Sequence, residues 1–227
     1  MQKLGLQRLT AREAGSGHFR RTRFRLFLEL LDRVTVAGQT CRVLDIGGEP
    51  TYWRTVIDLI GSRKIHIVLV NKDRYPNYED NVFESIVGDA RDLSIFSDLS
   101  FDIVHSNSVI EHVGRWPDMQ AMAHEVRRLA PSFFVQTPYF WFPLEPHCST
   151  FFFHWLPESV RVSMLMRRPR GVWGQASDVG TAMLQVQSAV LLDYRMLSTL
   201  FPDAVIHRER VLGLTKSLVA IRDATVL

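Results

Sequence analysis

The stretch Cys41–Trp53, CRVLDIGGEPTYW, constrains the fold more than any other part of the chain. A short apolar run, Val43-Leu44-Asp45-Ile46, stops at Gly47-Gly48. Pro50 then opens a helical pattern with Trp53, Val56, Ile57 and Ile60 on one face. A strand that turns on glycine into a helix brings free backbone N–H groups and a positive helix end to the carboxyl edge of a sheet. Without the full G-x-G-x-x-G spacing the glycine pair fits an ordinary buried turn as well. Its meaning depends on the order of the strands and helices downstream.

Ile65–Val70 reads as a second buried strand ending at Asn71, and Ser85–Val87 as a third ending in Gly88-Asp89-Ala90. Phe101–Ser106 is a fourth. Pro117–Leu129 is a helix with Pro in its first turn and Met119, Met122, Val126 and Leu129 inward, stopped by Pro131. Phe133–Thr137 is a fifth strand. With 227 residues, 46% of them hydrophobic, the chain can cover such a sheet on both faces. The alternation therefore implies an α/β fold with a doubly wound, mostly parallel sheet. Asp193 caps a helix running to about Phe201, and Val205–Arg210 and Lys216–Ile221 come after it, too close in sequence for a crossover. They pair as an antiparallel hairpin at one sheet edge, giving about seven strands.

Two segments stand outside this alternation. Residues 1–40 form an N-terminal arm and helix: 1–18 read as a loose arm, and Phe19–Val34 as a helix burying Phe24, Phe27, Leu28, Leu31 and Val34. Within the main domain, 41–227, the fifty residues Pro138–Gln187 are too long for a plain loop. They read as an inserted aromatic cap with one short helix near Pro157–Met166, its aromatics forming a small core of their own.

Charge and cysteines narrow the function classes. The net charge is +3, but residues 1–40 carry eight Lys/Arg against three acids, so the remaining 187 sum to −2. The basicity belongs to the arm and reads as a solvated helix face, with no stable nucleic-acid partner. No apolar run reaches the roughly 20 residues of a membrane span. The aromatic and arginine mixture of 138–187 is compatible with weak membrane-surface contact. Two cysteines, Cys41 and Cys148, suit a cytoplasmic location.

Taken in order, these pieces resemble the class I S-adenosylmethionine-dependent methyltransferases, in their small-molecule (type 11-like) branch. Val43–Gly48 (VLDIGG) resembles the first motif, Val87-Gly88-Asp89-Ala90 the acidic motif after the third strand, and Phe101–Val113 (FDIVHSNSVIEHV) the fourth-strand motif. The closing hairpin resembles the antiparallel seventh strand. The resemblance implies a Rossmann-like methyltransferase fold and S-adenosyl-L-methionine as cofactor. It implies that Gly47 and Gly48 let the backbone approach the methionine carboxylate and ribose. Asp45 would hold the ammonium or brace the turn. Asn71 stands where an acid usually chelates the ribose; its amide can still accept and donate one hydrogen bond each, and Asp73, two residues later, is a possible substitute. Asp89 and the Ala90 N–H would read adenine, and Ser106 and Asn107 would lie beside the sulfonium.

Methyl transfer is an in-line displacement from a cationic sulfur, so the protein aligns a nucleophile and removes its proton. His112 is the nearest base in sequence, although the Glu111-His112 pair also reads as a loop brace. Glu145, His147 and His154 in the cap could face the acceptor, whereas His66 and His105 lie within strands and read as satisfied sheet residues. No metal site is expected, since His147, Cys148 and His154 match no common zinc spacing. The Asp/Asn-Pro-Pro-Tyr/Phe motif of N-methyltransferases is absent after the fourth strand, which favours oxygen as the methylated atom. The expected acceptor is a small or glycan-like molecule. The alternatives are a non-catalytic scaffold that keeps the fold, or a nucleic-acid methyltransferase using the basic arm.

Overall fold

The computed structural model describes residues 11–73 and 82–226, with side chains from residue 20 onward. Its centre is a seven-stranded sheet. The first five strands are β1 Cys41–Ile46, β2 Ile65–Asn71, β3 Phe83–Val87, β4 Ile103–Asn107 and β5 Ser132–Pro138, and they run parallel. The two closing strands, β8 Val205–Val211 and β9 Leu214–Arg222, form an antiparallel hairpin, and β9 pairs antiparallel with β5. Across the sheet the order is β3-β2-β1-β4-β5-β9-β8. The expected doubly wound sheet with a terminal hairpin is therefore present. The chain starts at the centre, moves outward to β3 and returns to β4, so the order reverses between β1 and β4. In open α/β sheets that reversal leaves a crevice beyond the strand ends, where ligands bind.

Helices cover both faces because β1, β2, β4 and β5 are apolar on both. On one face lies α1 (Ala11–Val34) with Phe24, Phe27, Leu30 and Leu31 against Val43, Ile67 and Phe134. On the other lie α4 (Trp116–Leu129) and α7 (Tyr194–Leu200), with Met119, Met122, Val126, Leu129 and Leu197 inward. Asp193 caps α7 by accepting from the Met196 N–H at 2.9 Å.

Three expectations need correcting. The helix of the arm begins at Ala11, not Phe19; residues 1–10 lie outside the described residues. Ala11, Arg12, Glu13 and Ala14 are good helix formers, and Gly15 and Gly17 cost only about 1 kcal/mol each. The single helix expected after Gly48 is two short ones, α2 (Pro50–Arg54) and α3 (Ile57–Ile60), broken at Val56. Trp53, Val56 and Ile60 stay buried, while the break turns Ile57 outward to 40% exposure. Residues 138–187 hold more than one helix: a small hairpin, β6 (Leu144–Glu145) with β7 (Thr150–Phe151), then α5 (Glu158–Arg167) and α6 (Val179–Gln187). Asp178 caps α6 through the Thr181 N–H. This segment has its own core, but Cys148, Phe153, Val162, Leu165, Ala176, Ala182 and Val186 make it. Trp141, Phe151, Phe152 and Trp155 are exposed, not buried as expected.

Candidate functional site

The crevice at the reversal is built from the ends of β1, β2, β3 and β4. Gly47 has a positive φ of 71° and donates its N–H to the Val70 carbonyl at 2.7 Å. A Cβ there would strike the Val109 side chain, and one on Gly48 would strike the Asp45 carboxylate. Both glycines are thus required by the protein's own atoms before any ligand enters.

Two cavities open here. One, of about 250 Å³, is lined by Gly47, Asn71, Gly88, Asp89, Ala90 and His112 among others. Its neighbour, of about 240 Å³, is lined by Asp45, Gly47, Gly48 and Asn107, together with Arg20 and Tyr52. Ser106 is fully buried and gives its hydroxyl to the Ile46 carbonyl at 3.2 Å. The fold thus brings every expected donor-side residue except Ser106 to these two cavities.

Several of these groups already have partners. Asp45 is 1% exposed, and its oxygens accept from His105 Nδ1 at 2.7 Å and Trp53 Nε1 at 2.6 Å. His105 is therefore a brace for Asp45, as well as stacking on Phe134. Arg91 engages both Asp89 oxygens at 2.9 and 2.6 Å and holds that carboxyl down at about 2. The Asn71 Oδ1 accepts from the Lys72 N–H. The Asn107 Oδ1 accepts from Arg23 Nη1 at 2.6 Å, and Arg23 is also paired with Glu209 at 3.0 Å.

Arg20 and Arg23 were hidden in what reads as a solvated basic face. The signal was their position beside the buried stripe of Phe24 and Phe27. Arg21 pairs with Asp58 and Arg33 with Asp223. Arg21, Arg23 and Arg33 thus tie α1 to the body of the domain, while Arg20 lines the cavity beside Asp45.

The second half of the site lies beyond β4. A 3-10 turn, Ile110–His112, drops Glu111 into the core at 1% exposure. Its Oε2 accepts from the Thr137 hydroxyl at 3.0 Å, while Oε1 has no partner among the described residues. Burial pushes this carboxyl up to about 7. Thr137, at the end of β5, was not singled out from sequence.

His112 Nδ1 donates to the Ser188 carbonyl at 2.8 Å, and His147 Nδ1 to Glu145 Oε1 at 2.6 Å. The two Nε2 atoms then meet at 3.0 Å. Glu145, 3% exposed, also accepts from the Cys148 N–H at 2.6 Å. Carbonyl and carboxylate oxygens only accept, so both Nδ1 atoms carry protons, and one further proton is shared between the Nε2 atoms. Burial lowers His112. Burial acts the same way on His147, but the Glu145 carboxylate outweighs it and raises that ring. The two rings are shifted in opposite directions, so of the pair His147 is the stronger holder of the shared proton. The structure joins the three expected catalytic residues, His112, Glu145 and His147, in one chain of contacts. His154, by contrast, is bound to the Phe140 carbonyl at 2.6 Å.

A family model described as a methyltransferase domain matches residues 65–132. No curated protein matches the chain by sequence. Among solved structures, the chain is similar to magnesium protoporphyrin IX methyltransferase (ChlM) from Synechocystis PCC 6803, solved with bound SAH. That match has 12% identity and a TM-score of 0.54, over 96% of this chain and 90% of the other. The CurJ carbon methyltransferase matches at 11% identity and TM-score 0.55, over 90% of this chain and 54% of the other. The DszA carbon methyltransferase matches at 13% and 0.54, over 93% and 55%. The chain thus spans about half the length of these last two. At such identities the likeness is one of fold. With its sheet order and closing hairpin, the chain has the fold of the class I S-adenosylmethionine-dependent methyltransferases, and residues 65–132 match their methyltransferase-domain model.

Proposed function

We propose that the protein transfers a methyl group from S-adenosylmethionine to an oxygen of a small or glycan-like acceptor. The observation that carries this reading is that His112 lines the same cavity as Asn71, Asp89 and Ala90 while belonging to the His147–Glu145 chain. A neutral imidazole beside the donor cavity suits removal of a hydroxyl proton as the methyl group transfers. Glu145 and His147 come from 138–187, and the donor-side residues from the strands before it, so we assign the acceptor side to that segment, as a cap. The exposed rings of Trp141, Phe152 and Trp155, with Phe152 and Trp155 centred 5.0 Å apart, suit stacking on a sugar or apolar acceptor. No helix among the described residues is long and apolar enough to cross a membrane. Both cysteines are free and buried, which supports placing the protein in the cytoplasm.

The test has two stages. Calorimetric titration with S-adenosylmethionine must show binding; a folded protein that binds neither the donor nor its demethylated product is a scaffold. Incubation with isotopically labelled donor and a fractionated cell extract should then yield a labelled ether or ester. Label on carbon or nitrogen would sink the assignment to oxygen while keeping the donor.

A further inference from the structure

We propose that Glu111, His112 and His147 form a site for a divalent transition-metal ion, with Glu111 Oε1 and the two histidine Nε2 atoms as ligands. One possible ligand atom from each of these three residues lies within 4.8 Å of the others. No sequence spacing pointed here, because β4 and β5 bring Glu111-His112 to a hairpin that starts 32 residues later at Leu144.

Four features separate the cluster from a chance meeting of polar groups. Both imidazoles are held by Nδ1–H, one on the Glu145 carboxylate and one on the Ser188 carbonyl. Metal-bound histidines are oriented in this way, the second nitrogen donating outward so that the first presents its lone pair to the ion. The two Nε2 atoms are 3.0 Å apart. Two nitrogens bound at ~2.1 Å are about 3.0 Å apart at the right angle of octahedral coordination and about 3.4 Å apart in tetrahedral coordination, within a few tenths of an ångström of the spacing found. The third ligand atom, Glu111 Oε1, is buried and has no partner among the described residues. Such an oxygen needs a donor or a cation. Finally, the site already requires one cation, the proton between the facing lone pairs. A metal ion takes the place of that proton and uses Oε1 as well.

Two imidazoles and one carboxylate suit zinc, iron(II), cobalt(II) or manganese(II) better than calcium or magnesium, which prefer all-oxygen shells. Three protein ligands leave positions open. Since His112 lines the donor cavity, those positions would lie next to it and suit acceptor oxygens. With its Nε2 on the ion, His112 would not be the free base of the proposed methyl transfer, and an acceptor hydroxyl acidified on the ion would take over that role; metal binding itself is measured without the donor.

The experiment uses the full chain, stripped with a chelator and shown to be folded by its melting curve. Cobalt(II) is titrated while the visible d–d bands are followed, and zinc(II) by calorimetry in two buffers of different ionisation enthalpy. The expected result is one ion per chain with a proton released on binding. His112→Gln and His147→Gln should each weaken affinity by at least about 100-fold. Glu145→Gln, which keeps all three ligands and alters the partner of His147 and of the Cys148 N–H, should weaken it by about 10–100-fold. His207→Ala, at an exposed histidine in the hairpin, should change nothing. Folded wild-type protein that takes up neither ion at micromolar concentration overturns the site. So does undiminished affinity in the His112→Gln/His147→Gln double variant, which would mark the binding as surface adsorption. Donor titration on the same sample keeps the two questions apart: metal without donor binding sinks the proposed function alone, and donor without metal binding sinks this inference alone.

Discussion

Two carboxylates, one near the end of β1 and one in the turn after the neighbouring β4, are equally buried and differ in their partners. Asp45 ends β1 and Glu111 comes just after β4; each is 1% exposed. Asp45 has a donor on each oxygen, Trp53 and His105, and Tyr52 approaches the far side of His105 at 3.5 Å. Glu111 has Thr137 on one oxygen, and its other oxygen has no partner among the described residues. A buried polar group is costly unless paired. The satisfied carboxylate therefore belongs to the scaffold. The unsatisfied one still offers lone pairs to an incoming group. The first-motif aspartate, which the resemblance casts as an ammonium holder or a turn brace, has both oxygens engaged by the protein's own donors. The proposed acceptor-side residues gather across the crevice, where His147 meets His112 in the turn after β4.

Substitutions on the two sides should behave differently. His112→Ala should lower methyl transfer most, by about 10²–10⁴-fold, the usual cost of a lost base. Its melting temperature should stay near wild type, since the ring is tethered only through Ser188 and His147. His147→Ala and Glu145→Ala should lower turnover with donor affinity unchanged. Full turnover in His147→Ala alongside loss in His112→Ala would reduce residues 138–187 to a lid.

On the other side, Asp45→Ala strands the His105 and Trp53 donors in the core. Breaking a buried pair in this way costs about 3–5 kcal/mol, read as a large shift in the urea midpoint. A mild shift with lost donor binding would instead make Asp45 a ligand group, and the contrast with Glu111 would fall.

A third carboxylate sharpens the scaffold half of the comparison. Glu125 on α4 accepts from the Leu93 N–H and twice from Arg128, and Arg128 holds its carboxyl below the usual 4.5. A depressed carboxyl stabilises the fold above its unfolded value and loses that contribution as pH falls through its folded one. Glu125→Gln should therefore be less stable than wild type at pH 7, by about 1.5–3 kcal/mol for charge-assisted bonds. The gap should close well below pH 4.5. Denaturant curves at pH 7 and in acid give the answer; a gap independent of pH would mean that packing, not charge, is at stake.

The smallest effect is expected at the donor cavity. Asn71→Asp replaces the amide with a carboxylate able to accept from two hydroxyls. Charge-assisted bonds exceed neutral ones by about 1 kcal/mol, so the donor should bind up to roughly tenfold more tightly by calorimetry. Unchanged or weaker binding would show that Asn71 does not face the ribose.

The fold was legible because it rests on local signals. The alternation of apolar strands with Pro-opened and Asp-capped helices is written in consecutive residues, and the short link through Gly213 leaves a hairpin as the one available connection. Residues within a few positions of the strand ends were legible for the same reason: Gly47, Asn71, Asp89 and Ala90 sit where the strands deliver them. Segment 138–187 was harder, because exposed aromatics and buried alanines reverse the usual hydrophobic pattern; Ala176 and Ala182 are in its core while Trp141 is outside.

Only the tertiary structure decided partners. Nothing in the sequence says that His105 is spent on Asp45, or that Arg23 reaches 84 residues along the chain to Asn107. Nor does it say that His112 and His147 share a proton while an oxygen of Glu111 is left over. Secondary structure is set by neighbours in the chain. Hydrogen-bond satisfaction is set by neighbours in space, and that satisfaction is what separates the scaffold of this protein from its site.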